Sequence, residues 1–281
     1  MKFEKVAFIG AGSMAEAILS GILAKEFLKP EQIYVTNRES KERLERLKTR
    51  YDVQCSQDKQ KVIEHADVLL LSMKPKDVTE ALESIKPYIQ PNQLIVSVLA
   101  GVSTEYIEDQ LACDVPVVRA MPNTSATIGF SATAIAAGEY AGSGHIETVK
   151  MLFQTIGTTT VVDENDLHAI TGLSGSGPAY IYYFVEAMED AATDAGLKPD
   201  VAKELIVQTL VGAAEMLKTS KDRPADLRKK ITSPGGTTQA GLETLEKYKY
   251  QEALMACIKK AAERSIELGS SFQPKQNREA N

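Results

Sequence analysis

Cysteine is scarce in this 281-residue chain, and the three that occur, Cys55, Cys113 and Cys257, are odd in number and far apart. Without a C-x-x-C spacing they supply neither a disulfide framework nor a zinc cage, and they point to a reducing compartment. Histidine is as rare: His65, His145 and His168 stand at no helical or hairpin spacing from one another, so the ligand count for a metal site is not met. No apolar run approaches the length of a membrane span. The N-terminal MKFEKVAFIG has too short an apolar stretch, and a misplaced acid, for a signal peptide. A cytoplasmic chain is expected. Positive charge is also short, with 32 Lys and Arg against 38 Asp and Glu. The resulting net charge of -6 gives no footprint for nucleic acid or an anionic membrane, yet leaves room for a locally basic cofactor pocket. What is plentiful is apolar side chain, 43% of residues, enough to bury a core in one large or two modest domains.

The first half alternates aliphatic runs with amphipathic segments. KVAFIG precedes a helix from Ser13 to Lys25; QIYVTN precedes a charged helix from Ser40; ADVLLLSM precedes a helix after Pro75. QLIVSVLAG, VPVVRAM, SATAIAAG, a helix near Ile146 to Thr155, and TTTVVD follow. Near-continuous aliphatic strands separated by helices predict a doubly wound parallel sheet covered on both faces, with the later strands at its far edge. After Asp163 β-branched runs give way to helical periodicity, near 166–173, 178–195, 199–219, 224–231, 237–246 and 249–269. Pro178, Pro199 and Pro224 lie at or near helix starts, where proline is tolerated. The expected organisation is an α/β dinucleotide-binding domain at 1–163, an all-α domain at 164–273 and a disordered polar tail at 274–281.

One helix carries more. Between Ala179 and Ala195 the acids Glu186, Glu189, Asp190 and Asp194 share one narrow stripe, while Ile181, Tyr182, Tyr183, Phe184, Val185 and Met188 cover the rest. A helix apolar over most of its circumference must be buried on more than one side. A second subunit would serve, and so would the centre of a monomeric bundle.

Residues 10–15, GAGSMA, follow a strand and open a helix, the context of a dinucleotide fingerprint. Gly10 permits the tight turn, Gly12 admits a pyrophosphate to the backbone, and the amides after Ala11, at Ser13 and Met14, open the helix toward it. Ala15 replaces the third glycine, where only close packing is required. The second strand ends without the acid that would bind a ribose 2'-hydroxyl; Asn37 and Arg38 stand there, and arginine suits a 2'-phosphate. NADPH is therefore expected over NADH, with Glu39 close enough to temper the preference. Further strand ends supply the rest of a cleft: Met73, Lys74 and Pro75, then Ala100 and Gly101, then Met121, Pro122 and Asn123.

With GAGSMA, NR, MKP, RAMPNT, GLSGSGPAY and SPGGTT in this order, the chain resembles the pyrroline-5-carboxylate reductase family along essentially its whole length. The most specific stretch is PADLRKKITSPGGTTQAGLETLE. Ser125 stands where that family commonly continues MPNT with proline, and Ser13 where it often has asparagine. The resemblance implies NAD(P)H-dependent reduction of L-1-pyrroline-5-carboxylate to L-proline, the last step of proline biosynthesis. It also implies a helical dimerisation domain, with the active site where one subunit's nucleotide domain meets its partner's helices.

Such a substrate explains why SPGGTT, residues 233–238, holds no acid, base, thiol or metal ligand. A cyclic imine is basic enough to bring its own proton, so the protein must orient it and bind its carboxylate. Gly235 and Gly236 are expected to turn the amides of Gly236 and Thr237 toward that anion, assisted by the hydroxyls of Ser233 and Thr237. Thr238 is the expected partner of the ring nitrogen, as the resemblance also implies. Ser174 to Gly177 are expected to form a hinge. Two other readings remain: a β-hydroxyacid dehydrogenase, whose lysine base has no recognisable context here, and a non-catalytic NADPH-binding regulator.

Overall fold

The computed structural model describes residues 3–64 and 66–272; the expected disordered tail lies outside the described residues, as does His65. Five aliphatic runs form the parallel heart of one sheet: β1 (Val6–Ile9), β2 (Ile33–Thr36), β4 (Val68–Leu71), β5 (Leu94–Ser97) and β6 (Val117–Met121). β3 (Gln54–Cys55) pairs beside β2, and β7 (Ser131–Ala137) and β8 (Gly157–Val161) extend the opposite edge. The order is β3-β2-β1-β4-β5-β6-β7-β8. The expected parallel, doubly wound plan holds through β6; β7 runs antiparallel to β6, with Met121 opposite Ala134, and β8 runs parallel to β7. The link Pro122–Phe130 is only a 3-10 turn, whereas a parallel crossover takes roughly a dozen residues or more.

Successive strand residues face opposite cores. Val6, Phe8, Val68, Leu70, Val96 and Val118 pack with α1 (Ser13–Ala24), α2 (Lys41–Tyr51) and α6 (Ser143–Gln154). Ala7, Ile9, Leu69, Leu71, Ile95 and Val117 pack with α3 (Lys59–Ile63), α4 (Val78–Ile85) and α5 (Thr104–Leu111).

Beyond the sheet come α7 (Leu167–Ile170), α8 (Gly177–Asp194), α9 (Pro199–Thr219), α10 (Pro224–Lys230), α11 (Thr237–Lys247) and α12 (Tyr250–Gly269). Between α7 and α8 the chain winds through a π turn, Thr171–Gly175, rather than breaking at the glycines. Ser176 N–H closes that turn on Thr171 O at 2.9 Å.

The chain divides into two compact units, one running to Ser176 and resumed from Lys260, the other Gly177–Lys259. The break therefore falls after Ser176, some way beyond Asp163, because the intervening segment is tied to the sheet. Glu164 accepts from Arg119 Nη1 at 2.7 Å, Thr104 N at 2.9 Å and Thr104 Oγ1 at 2.5 Å. Leu167 is fully buried among Met121, Ala134 and Ala136. The end of α12 returns to the same unit: Ser265 Oγ lies 2.9 Å from His168 Nδ1, and Phe272 packs edge-on against Tyr106.

In the helical unit the apolar surface is not consumed by the chain. Only Ala202 and Ile206 are buried there, and α8 buries no residue, leaving Tyr182 61% and Tyr183 77% exposed. The burial on more than one side expected for α8 is not supplied among the described residues.

One buried acid stands apart. Glu108 of α5 is 7% exposed, and its Oε1 has no hydrogen-bond partner. Burial pushes its carboxyl up to about 7, although the amides of Tyr140 and Glu139 pull the other way. Because the folded value lies above the ordinary 4.5, the native state holds a proton that the unfolded chain releases between the two. The associated stability is present in full below pH 4.5 and lost as pH rises through about 7. Glu108→Gln should thus melt higher than the parent at pH 8, by about 2–4 °C, and converge with it near pH 5 in thermal scans.

Candidate active site

A cleft of about 680 Å³ opens beyond the carboxyl ends of β1, β2 and β4. Its walls bring together Gly10, Ala11, Gly12, Ser13, Met14, Asn37, Arg38, Met73 and Lys74 from the expected set. Gly10 has φ +119°, and a Cβ there would stand 2.6 Å from Ser72 C and 2.7 Å from Met73 N. Two strand ends can cross so closely only with glycine at this point. Gly12 is the N-cap of α1, with no side chain bonding to the helix's first amides. Those amides face the cleft as donors for a pyrophosphate. Ala15 is buried in the sheet core, which matches its assigned packing role.

The loop is braced by a residue that no sequence pattern singled out. Arg43 in α2 donates from Nε to Ala11 O at 2.7 Å and from Nη2 to Gly12 O at 3.5 Å and Glu16 Oε2 at 2.5 Å. Tyr51 and Arg50 also donate to Glu16, each at 3.1 Å. Burial works to raise the Glu16 carboxyl, but hydrogen bonds from Arg43 and Tyr51 outweigh it and hold the group low. The brace spans 32 residues of sequence between Ala11 and Arg43, so periodicity could not reveal it.

The residues fit a nicotinamide dinucleotide by an independent sign. Thr36 Oγ1 and Asn37 Oδ1, both at the cleft wall, are buried without a partner. Orphaned acceptors of this kind suit ribose hydroxyls. Asn37 Nδ2 is already spent on Ser40 O, at 2.9 Å. Arg38 is held by three acids: Nε by Glu39 at 2.7 Å, and Nη1 by Glu80 at 2.9 Å and Asp77 at 3.5 Å.

The other expected cofactor residues lie outside these walls. Pro75 starts the 3-10 turn Pro75–Asp77 that leads into α4. Ala100 packs beside the buried Met121. Gly101, at φ +78°, meets the backbone of Gly269, where a Cβ would come within 3.0 Å of N. Pro122 follows β6, and Asn123 uses its side chain on protein: Oδ1 accepts from Ser125 N and Nδ2 donates to Ser174 O.

In the helical unit, the turn from Ser233 to Thr238 delivers the N-terminus of α11. Gly235 has φ +72°, and Gly236 is the N-cap. The amide expected to face an anion at Gly236 is instead committed to Ser233 O at 3.0 Å, closing the turn. Gly235 N–H is likewise held by Gln239 Oε1 at 2.8 Å. The donors left are one residue later: the amides of Thr237 and Thr238 open the helix without a capping side chain. Elsewhere in this unit Thr193, Thr209, Thr219, Thr232 and Thr244 turn their hydroxyls back onto carbonyls four residues earlier. Thr237 and Thr238 begin their helix and make no such bond, so their hydroxyls remain for a ligand.

Two stretches of the chain match family models. Residues 164–268 match the model described as pyrroline-5-carboxylate reductase dimerisation, and residues 5–101 match the one described as NADP oxidoreductase, coenzyme F420-dependent. A pyrroline-5-carboxylate reductase of Bacillus subtilis is 48% identical over 96% of this chain and 96% of its own. The chain belongs to the pyrroline-5-carboxylate reductase family. Solved reductases of this family share its fold. That of Coxiella burnetii superposes with a TM-score of 0.87 at 33% identity, covering 95% of this chain and 99% of its own. The Plasmodium falciparum reductase, a structure with NADP bound, gives 0.86 at 29% identity over 94% and 98%. Membership in the reductase family disfavours both the β-hydroxyacid dehydrogenase and the non-catalytic reading. No helix among the described residues is long and apolar enough to cross a membrane.

Proposed function

We propose that this chain reduces L-1-pyrroline-5-carboxylate to L-proline, the last step of proline biosynthesis, in the cytoplasm, with NADPH preferred and NADH usable. The observation that carries the reading is the α11 entry turn, which offers backbone amides and free hydroxyls and no titrating group. A bound reduced nicotinamide supplies a hydride to the imine carbon.

The protein's residues do the rest. Gly10 and Gly12 let the glycine loop approach a pyrophosphate, and Arg43 keeps that loop in place. Asn37 Oδ1 accepts from a ribose hydroxyl, and Arg38 favours a 2'-phosphate. The amides of Thr237 and Thr238, with the Ser233 and Thr237 hydroxyls, hold the substrate carboxylate at the positive end of α11. Thr238 Oγ1 meets the ring nitrogen, accepting from the protonated imine and remaining bonded to the amine that forms. Since the imine arrives with its proton, no general acid is demanded; orientation provides most of the acceleration. The exposed apolar residues of α8 and α9 support a homodimer unit in which a second copy covers this face.

The experiment is NADPH oxidation at neutral pH with and without pyrroline-5-carboxylate, repeated with NADH. Substrate-dependent oxidation with proline as product is expected. Cofactor binding without turnover of this or any cyclic imine would overturn the assignment.

A further inference from the structure

Resting on the cofactor reading above, a second feature of the cleft bears on which nucleotide it selects. Arg38 follows β2, whereas Asp77 and Glu80 stand at the N-cap and first turn of α4, across the cleft. The separations are 39 and 42 residues, so only the fold assembles this cluster. A guanidinium grips a phosphate best through two parallel N–H groups. Here Nε is used by Glu39, and Nη1 by Glu80 and Asp77. Nη2 alone has no partner among the described residues, which leaves a single point of contact where a two-point grip is available to an unencumbered arginine.

Charge makes the same point. Glu39, first, then Glu80 and Asp77 raise the Arg38 pKa, so the carboxylates and the guanidinium are electrostatically engaged with each other. Arg43 is committed to Glu16 and the glycine loop, and Lys59 donates to Ser84 Oγ at 2.6 Å. Lys74 and Lys76 are the other cations on the wall. To gain a two-point grip on Arg38, a 2'-phosphate dianion must displace at least one carboxylate from Nε or Nη1. A 2'-hydroxyl need not, and Glu39 can accept from it.

We infer that Glu80, assisted by Asp77, is a specificity-determining residue that holds down the preference for a 2'-phosphorylated nucleotide by occupying Arg38. The acids across the cleft thus make the site usable by both nicotinamide dinucleotides, although the end of β2 alone reads as specific for the phosphorylated one.

The test compares binding of 2',5'-ADP and 5'-AMP to the full chain by titration calorimetry. In Glu80→Gln the affinity ratio of 2',5'-ADP to 5'-AMP should rise about two- to fivefold, the scale of one exposed ion pair. The rise should shrink in 0.5 M salt as the charges are screened. It should vanish in an Arg38→Ala background, since Glu80 is argued to act through Arg38. An unchanged or lower ratio in Glu80→Gln would overturn the proposal, as would an equal rise without Arg38. If the parent protein binds neither nucleotide, the cleft is not a dinucleotide site and the cofactor reading itself falls.

Discussion

Gly10→Ala is expected to lower kcat/KM for NADPH by about 100-fold or more and to weaken nucleotide binding in parallel. The added methyl would stand 2.6 Å from Ser72 C and 2.7 Å from both Met73 N and Ser72 O. All three are backbone atoms, so no side-chain rotation relieves the overlap. The φ of +119° is also a conformation that alanine disfavours. Relief must come from separating the ends of β1 and β4, the two strands whose tips form the cleft floor. A displacement near 1 Å at a binding loop costs on the order of 10²-fold in rate. The control is Gly129→Ala, where φ is +78° but nothing lies within 4 Å of the new atom. That variant should pay only the local cost of about 1–2 kcal/mol in stability and keep its nucleotide affinity. Equal nucleotide affinity in Gly10→Ala and the parent would show that this crossing does not shape the site.

The contrast between Gly10 and Arg43 marks what could be read from sequence. Gly10 announces itself because its neighbours Ile9 and Ser13 sit at a strand–helix junction, a local pattern. Arg43 is one basic residue in the charged run KERLERLKTR, and its bond to Ala11 O exists only once α2 lies beside the glycine loop. The buried strands were legible because parallel strands covered on both faces are continuous aliphatic runs. β3 was not, since Gln54 and Cys55 are too few to make a pattern and are strands only by pairing with Tyr34 and Val35. The reversal of β7 is a matter of link length rather than of the residues in the strand. The pattern changes after Asp163, where the match to the dimerisation model also begins, yet the compact unit runs on to Ser176. The helical segment that follows is anchored by Glu164 on Arg119, a long-range contact invisible to composition.

The α11 turn shows the same limit at the scale of one hydrogen bond. Gly-Gly-Thr correctly signals amides at a helix start, yet which amide is free depends on the turn that precedes it. With Gly236 N–H closed on Ser233 O, the uncapped amides at the helix start are those of Thr237 and Thr238. In the proposed reaction this shift puts the carboxylate contact and the hydroxyl of Thr238 on the same residue, and raises what Thr238 is asked to do.

Thr238→Ala is accordingly expected to reduce kcat/KM for pyrroline-5-carboxylate by roughly tenfold to a thousandfold, the range for one lost oriented hydrogen bond at a reacting centre. Its backbone amide survives the change, so the carboxylate grip persists and the loss should fall mainly on kcat. Thr238→Ser keeps the hydroxyl and should recover most of the rate; Thr238→Val keeps the shape without the hydroxyl and should resemble alanine. The Thr238 side chain is exposed and its hydroxyl bonds to no backbone carbonyl, unlike that of Thr244 one to two turns later, which bonds to Ala240 O at 3.0 Å. Thr244→Ala therefore serves as the matched control, removing a helical threonine hydroxyl that is already satisfied, with activity expected near that of the parent. Unchanged kcat and KM in Thr238→Ala would remove Thr238 from the reaction and leave the amides of α11 as the turn's whole contribution.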